Sequence, residues 1–477
     1  MSRMLEEFMA AGAAYPVLYR QLDALIEAAA TVPAPPRAAG EPLRLLFVGY
    51  AGGGNTGADI RVAEMIRQVR AIFGRDRLEI GLVVSGEALP ADLQDEVTLE
   101  VVLDYFPEFI ARTIARYHGV IACDGSMFKS NLCCMLSAMM GGALGMAAVS
   151  GRLAVGYGAE AGRMEPELTE FIAGLGERPL ILCRNEESRA VLEPLGLRVD
   201  GGADTAWTYR AEPAAETLRR RAALGVASGP LLVVCPMNPF WWPVRPDLAK
   251  AMALEARGEH RELHFGSVLF HPDDASIRQR YHAYLDALAG AADAWQDRHG
   301  GSVLVLGMDR VDRLACDELA GRLARRPGVI ASGDAPPAAL VGLLRAADLL
   351  VSSRFHAIVA SMEAGVPAIG VTMDERIANL LGHGKAGRRL LRVDAPNLAG
   401  QLREAMQRAE ADRVAIGQQA RGAVVDHLRA MAAMGRRFAE EVRRFHPDLA
   451  VPADDADWTA WLPPLSEVQR ELVARYG

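Results

Sequence analysis

The sequence lacks the features that would take it outside ordinary globular chemistry. Its six cysteines (Cys123, Cys133, Cys134, Cys183, Cys235 and Cys316) form no CxxC pair, which removes the usual zinc and thioredoxin-type spacings. Five of them lie in apolar runs and read as buried, reduced thiols. Basic charge is not in excess: 52 Lys+Arg against 60 Asp+Glu leave −8 at pH 7. A nucleic-acid binder needs a basic face to displace counterions, so no nucleic-acid partner is expected. The 46 Gly and 26 Pro follow no collagen-like period, and there is no internal repeat or low-complexity tract. No GxGxxG or Walker loop occurs. His260, His264 and His271 stand four and seven residues apart without a nearby Cys pair, and no metal is expected. The opening residues carry Glu6, Glu7, Arg20, Asp23 and Glu27 and read as an amphipathic helix rather than a secretory signal. Residues 132–150 carry no charge, yet Gly141, Gly142 and Gly145 interrupt them. They read as a buried helix rather than a membrane span. A cytoplasmic location, with at most peripheral membrane contact, follows as the expectation.

What is present is an enzyme-like composition, 51% hydrophobic and 23% charged, over 477 residues. That length suits two or three domains at roughly 150 residues each. A Pro/Ala linker (31–42) follows an N-terminal helical extension, 1–42 in all. Short apolar runs then alternate with helical segments: LRLLFVGY, LEIGLVVS, GVIACDG, RLAVGYG and PLILCR within 43–215. The pattern restarts with GPLLVVCPMNP, GSVLVLGM, GVIASG, DLLVSS and VPAIGVT within 216–395, and 240–300 reads as an insertion. Residues 396–477 read as a charged helical segment. Strand–turn–helix alternation specifies parallel sheets covered on both faces. The expected fold is therefore α/β: two doubly wound, Rossmann-like lobes with a cleft between them. Ligands in such sheets sit beyond the carboxyl ends of the strands, so the residues just after each apolar run are the candidates.

Five such segments stand out. YAGGGNTGADI (50–60) supplies Gly54 and Gly57 for close backbone approach, Asn55 to orient a hydroxyl, and Asp59 as a base. It reads equally well as a tight turn with Asp59 favoured at a helix start. SSRFHAIVASMEAGVPAIGV (352–371) places Arg354 and His356 at a strand end, a guanidinium to grip an oxyanion beside an imidazole to trade protons. ACDGSMFKSN (122–131) offers Asp124, Ser126 and Lys129, or a plain turn. CRNEESRAVLEPLG (183–196) offers Arg184, with Glu187 and Ser188 open to a capping role. NPFWWPVRP (238–246) offers Arg245, with Trp241 and Trp242 for stacking, although paired Trp also pack insertions against their lobes.

Taken in order, the Gly54-Asn55-Thr56-Gly57-Ala58-Asp59 turn, Arg184-Asn185-Glu186-Glu187-Ser188, Ala203-Asp204, Ser353-Arg354-Phe355-His356-Ala357, Gly365-Val366-Pro367 and Asp374-Glu375-Arg376 resemble the polysaccharide pyruvyl transferase family, whose two lobes resemble the GT-B glycosyltransferase fold. The resemblance runs over about 43–210 and 325–385, and the Arg-Phe-His block is its most specific part. It implies transfer of a pyruvyl unit from phosphoenolpyruvate to two hydroxyls of a saccharide or related acceptor, as a cyclic ketal with release of phosphate. Phosphoenolpyruvate is then a co-substrate and no cofactor is required. The family's donor-side Arg and His carry over onto Arg354 and His356, and its Asn-x-Gly-Asp turn onto Asn55, Gly57 and Asp59. Three departures stand out: only Gly125 remains of the glycine-rich turn after GVIAC, the Lys that often follows the late Asp is Arg376, or Lys385 in a shifted alignment, and the insertion 240–300 and both terminal extensions have no counterpart.

The chemistry fits these residues with His356 as general acid, Arg354 as anion clamp and Asp59 as acceptor-side base. Arg376 joins the substrate-binding set. Two alternatives share the fold. One is a glycosyltransferase using a nucleotide sugar, with Glu363 or Glu375 on the ribose. The other is a family member conjugating a non-polymeric small molecule. Replacing Arg354 or His356 by Ala is expected to cut turnover by orders of magnitude without moving the melting temperature. The partners expected are a small-molecule donor and a saccharide-type acceptor; homo-oligomerisation is left open.

Overall fold

The computed structural model describes residues 14–84, 93, 96–102, 106–258, 269–382 and 386–477. His260, His264 and Lys385 lie outside these residues. Seven parallel strands build the first sheet: β1 (Leu43–Val48), β2 (Leu78–Val84), β3 (Thr98–Val101), β4 (Gly119–Ala122), β5 (Leu153–Ala159), β6 (Leu180–Cys183) and β7 (Arg198–Gly201). Their order is β3-β2-β1-β4-β5-β6-β7. Every residue of β4, β5 and β6 is buried, which is why those strands read as unbroken apolar runs.

The second lobe starts at β8 (Leu231–Cys235). A short antiparallel ribbon follows, β9 (Arg245–Pro246) with β10 (Leu269–Phe270), then β11 (Ser302–Gly307), β12 (Gly328–Ala331), β13 (Leu349–Ser352), β14 (Ala368–Thr372) and β15 (Leu390–Arg392). Their parallel sheet runs β12-β11-β8-β13-β14-β15. Both sheets thus reverse direction between their first and fourth strands, and the two switch points, β1/β4 and β8/β13, face one cleft. Two doubly wound lobes are what the alternation called for.

The uncharged 132–150 stretch is the buried helix Cys134–Val149. A Cβ on Gly142 would fall 2.7 Å from Leu22, and one on Gly145 would fall 2.7 Å from Ile26. The glycines therefore let the N-terminal helix Ala14–Ala29 pack close. Among the described residues no helix is long and apolar enough to cross a membrane. All six cysteines are free and buried.

Three features differ from the sequence reading. The 216 boundary cuts the helix Ala214–Ala223, which belongs with the second lobe: Glu212 N donates to Ala338 O at 3.0 Å just ahead of it. Of the stretch read as an insertion, Ala275–His299 is the helix that carries the chain from β8 to β11, with Asp274 capping its start. The true excursion is confined to 236–274, and it touches the first lobe where Val244 N donates to Leu132 O at 3.0 Å. The C-terminal segment is not a separate body. Its 33-residue helix, Arg413–Phe445, returns to cover the first sheet. There Phe438 packs edge-on to Tyr157 at 5.1 Å, Gln68 donates to Met431 O at 2.8 Å, and Glu441 takes the Arg198 guanidinium at 2.6 Å.

Candidate active site

The cleft at the two switch points holds about 820 Å³ of empty volume, part of it open to solvent. From the first lobe, the turn after β1 ends at Asn55, whose side chain caps the helix Thr56–Phe73 by accepting from Ala58 N at 3.0 Å. The same side chain donates across the cleft to Asp309 at 2.7 Å. Gly54 has φ +82°, and a Cβ there would strike the Arg310 side chain. After β4, Asp124 accepts from Ser126 N at 2.7 Å and shapes that turn. Arg184 follows β6.

From the second lobe, Ser352 ties the turn after β13 by accepting from Arg354 N and donating to Arg354 O, both at 2.9 Å. Arg354 then opens the helix Phe355–Met362. Its guanidinium forks onto buried Asp312, with Nε to Oδ2 at 2.9 Å, and stands 3.6 Å from Asp309. Burial opposes its charge, but Asp312 and Asp309 more than offset this and raise its pKa. Arg354 is therefore a fixed, permanent cation on the cleft wall.

His356 lies two residues further along, inside a buried charge cluster. Asp204 Oδ2 sits 3.5 Å from His356 Nε2, 3.0 Å from Arg184 Nη1 and 3.3 Å from Arg61 Nε. Arg61 also donates to the carbonyls of Cys123, Tyr157 and Gly158. Arg184 pairs in addition with Glu160 and lies 4.3 Å over the Phe355 ring. Burial is the largest influence on Asp204 and works against its charge, yet His356, Arg61 and Arg184 together hold it well below the carboxylate range. Burial, helped by the two guanidinium groups, lowers the pKa of His356 despite Asp204. The imidazole thus stands neutral among guanidinium groups that are themselves held by buried carboxylates.

Asn55, Asp124, Ser126, Arg184, Arg354, His356 and Arg376 line the cleft together. Other sequence candidates stand off the wall. Asp59 is buried with Oδ1 accepting from Gly52 N at 3.1 Å, and burial pushes it up to about 7 against that hydrogen bond. A first-turn side chain points back along its helix, so Asp59 fastens the glycine turn and does not reach the cleft. Lys129 is fully buried and paired with Glu375 at 2.7 Å; burial brings it down to about 8. It bridges the two lobes. Trp241 stacks on His271 at 4.9 Å, while its neighbour Trp242 takes the place on the wall. Arg376 shares the wall but is held by Asp374 at 2.7 Å. Glu363 is occupied by Arg345 at 2.5 Å and Gln469 at 2.9 Å, so neither it nor Glu375 lines the cleft. Among the described residues no three His, Cys, Asp or Glu side chains group to hold a metal ion.

Gly57 and Gly54 are supporting positions rather than contacts. A Cβ on Gly57 would fall 2.3 Å from His356 Nδ1. Gly57→Ala is expected to lose about 1–3 kcal/mol of stability, because the added methyl overpacks against the buried imidazole, and to lose turnover about 100-fold, because the imidazole must move. Steady-state kinetics beside a thermal melt measures both, and wild-type turnover would mean the ring position is unimportant.

Sequence reasoning missed Arg61, Asp309 and Asp312. Asp309 stands directly after the apolar run GSVLVLGM, so the rule that found Arg354 reaches it too. Arg61 lies between Ile60 and Val62 on a buried helix face, and its sequence context gives no sign that it turns into the cleft.

Residues 175–375, from just before β6 of the first lobe to just after β14 of the second, match the family model described as polysaccharide pyruvyl transferase. The match spans Arg184, Asp204, Asp312, Arg354 and His356. No curated protein matches the chain by sequence. Among solved structures, Staphylococcus aureus MnaA with UDP is similar at TM-score 0.52 and 10% identity, covering 87% of this chain and 100% of its own. The UDP-GlcNAc 2-epimerase from Neisseria meningitidis bound to UDP-GlcNAc gives TM-score 0.48 and 9% identity, covering 84% and 100%. The first of these likenesses supports the two-lobed fold.

Proposed function

We propose that this chain transfers the pyruvyl unit of phosphoenolpyruvate to two hydroxyls of a saccharide or related acceptor, forming a cyclic ketal and releasing phosphate. One observation carries the reading: inside the family-matched stretch, Arg354, Arg184 and His356 converge on one cleft wall. Two guanidinium groups fixed in place by buried carboxylates, beside a titratable ring, offer hydrogen-bond donors to a small anionic donor. Binding that donor adds negative charge next to His356 and raises its proton affinity.

In the proposed reaction Arg354 grips the donor's phosphate or carboxylate. His356, protonated as the donor binds, gives its proton to the methylene carbon, and the neighbouring carbon becomes oxocarbenium-like. The first acceptor hydroxyl adds there and releases its proton to a carboxylate. Asp124, half-buried on the wall, takes the role that the sequence gave to Asp59. The bond from that carbon to the phosphate oxygen then breaks. The second hydroxyl closes the ring, and its proton leaves with phosphate.

The test is to incubate the protein with phosphoenolpyruvate, UDP-sugars or GDP-sugars over an acceptor panel, following phosphate and nucleotide release by mass spectrometry. Acceptor-dependent consumption of phosphoenolpyruvate, with a product heavier by one pyruvyl ketal, is expected. Nucleotide release without loss of phosphoenolpyruvate would replace this reading by sugar transfer.

A further inference from the structure

A second groove lies at the opposite end of the second sheet. Asp348 immediately precedes β13 and Pro367 immediately precedes β14, and both line a surface hollow of about 940 Å³, part of it open to solvent. The cleft opens beyond the other ends of the same strands, about 13–17 Å away at roughly 3.3 Å per residue. The groove is bounded by the turn after helix Pro337–Arg345, the turn 364–367, the start of helix Arg413–Phe445 and the helix Glu467–Tyr476.

Four arginines face it, and their partners leave positive charge over. Arg345 is neutralised by Glu363, and Arg413 pairs with Asp348 at 2.6 Å. Among the described residues Arg421 donates to a backbone carbonyl, Ala364 O, at 2.6 Å. Arg475 lies beside the Tyr476 ring at 5.4 Å. Among the described residues neither Arg421 nor Arg475 has a carboxylate partner, in a chain whose overall charge is −8.

The Arg421 guanidinium is also built in. Gly365 has φ +71°, and a Cβ there would fall 2.6 Å from Arg421 Cζ. A Cβ on Gly417 would fall 2.9 Å from Gly365 O. Two glycines therefore make the room in which this half-buried fork is held against Ala364, with further N–H groups left to donate. A preorganised guanidinium recognises an oxyanion through parallel hydrogen bonds, and Arg475 lines the same hollow.

We propose that this groove is a second anion site, separate from the cleft, that takes a phosphate-bearing ligand of at least two negative charges on Arg421 and Arg475. Inorganic pyrophosphate is the probe, with binding followed by titration calorimetry on the full chain. Arg421→Gln is expected to weaken it at least tenfold and the exposed Arg475→Gln severalfold, with added salt weakening the wild type. Arg475→Gln removes a surface side chain, so it reports even where Arg421→Gln perturbs folding. Sedimentation with phosphatidylcholine vesicles containing phosphatidic acid separates the sources. Recruitment lost in Arg421→Gln assigns a lipid headgroup, whereas pyrophosphate binding without recruitment assigns a soluble ligand. Affinity unchanged in both variants, or lost in Arg354→Lys and kept in Arg421→Gln, places the anion in the cleft and overturns the proposal.

Discussion

Arg354→Ala is expected to lose about 10³-fold in turnover and, contrary to the sequence expectation, to be destabilised as well. Arg354 is the fork on Asp312, a carboxylate only 1% exposed, and it stands 3.6 Å from buried Asp309. Removing the guanidinium leaves two buried acids without their cation, and breaking such a pair costs about 3–5 kcal/mol. Lower stability therefore does not mark Arg354 as merely structural. Two variants separate the roles. Arg354→Lys keeps a charge near Asp312 but loses the planar fork, so it should retain most of the stability while turnover still falls about 100-fold. Arg354→Ala combined with Asp312→Asn should recover part of the melting temperature and none of the turnover. Wild-type turnover in Arg354→Lys would reduce this residue to a strut.

Turnover in His356→Gln should fall by about 10²–10⁴, the usual range for a lost general acid. The pH profile carries the sharper information. Burial sets the free-enzyme pKa of His356 below its ordinary 6.5, and the acid form is the one that donates. The kcat/KM profile, which reports the free enzyme, should therefore decline with rising pH through a limb on the acid side of 6.5. The kcat limb should lie higher, because the bound anion favours imidazolium. His356→Gln should abolish the protein's contribution to both limbs while leaving the donor's own ionisation visible. A profile identical in shape to the wild type would remove His356 from the proton transfer.

The fold was largely legible because parallel strands buried on both faces announce themselves as apolar runs, and each lobe repeats the signal. Arg354, His356, Arg184 and Asp124 were reachable because they follow such runs directly. Failures came where position depends on partners distant in the chain. Asp59 follows a strand like the others, yet one turn of helix aims it back at Gly52. Lys129 reads from sequence as a cation offered to the cleft or as part of a plain turn, and only the meeting of two lobes pairs it with Glu375. The Arg413–Phe445 helix advertises an apolar stripe, but nothing in that stripe tells which sheet it will cover.

That long helix has a consequence for synthesis. The nascent chain completes β1 to β7 early, but the face bearing Tyr157 and Gln68 waits for Met431 and Phe438, made only after the whole second lobe. The first half therefore cannot mature ahead of the second on the ribosome. Contacts this distant in sequence slow folding, and the uncovered sheet face is the surface that chaperones would meet meanwhile.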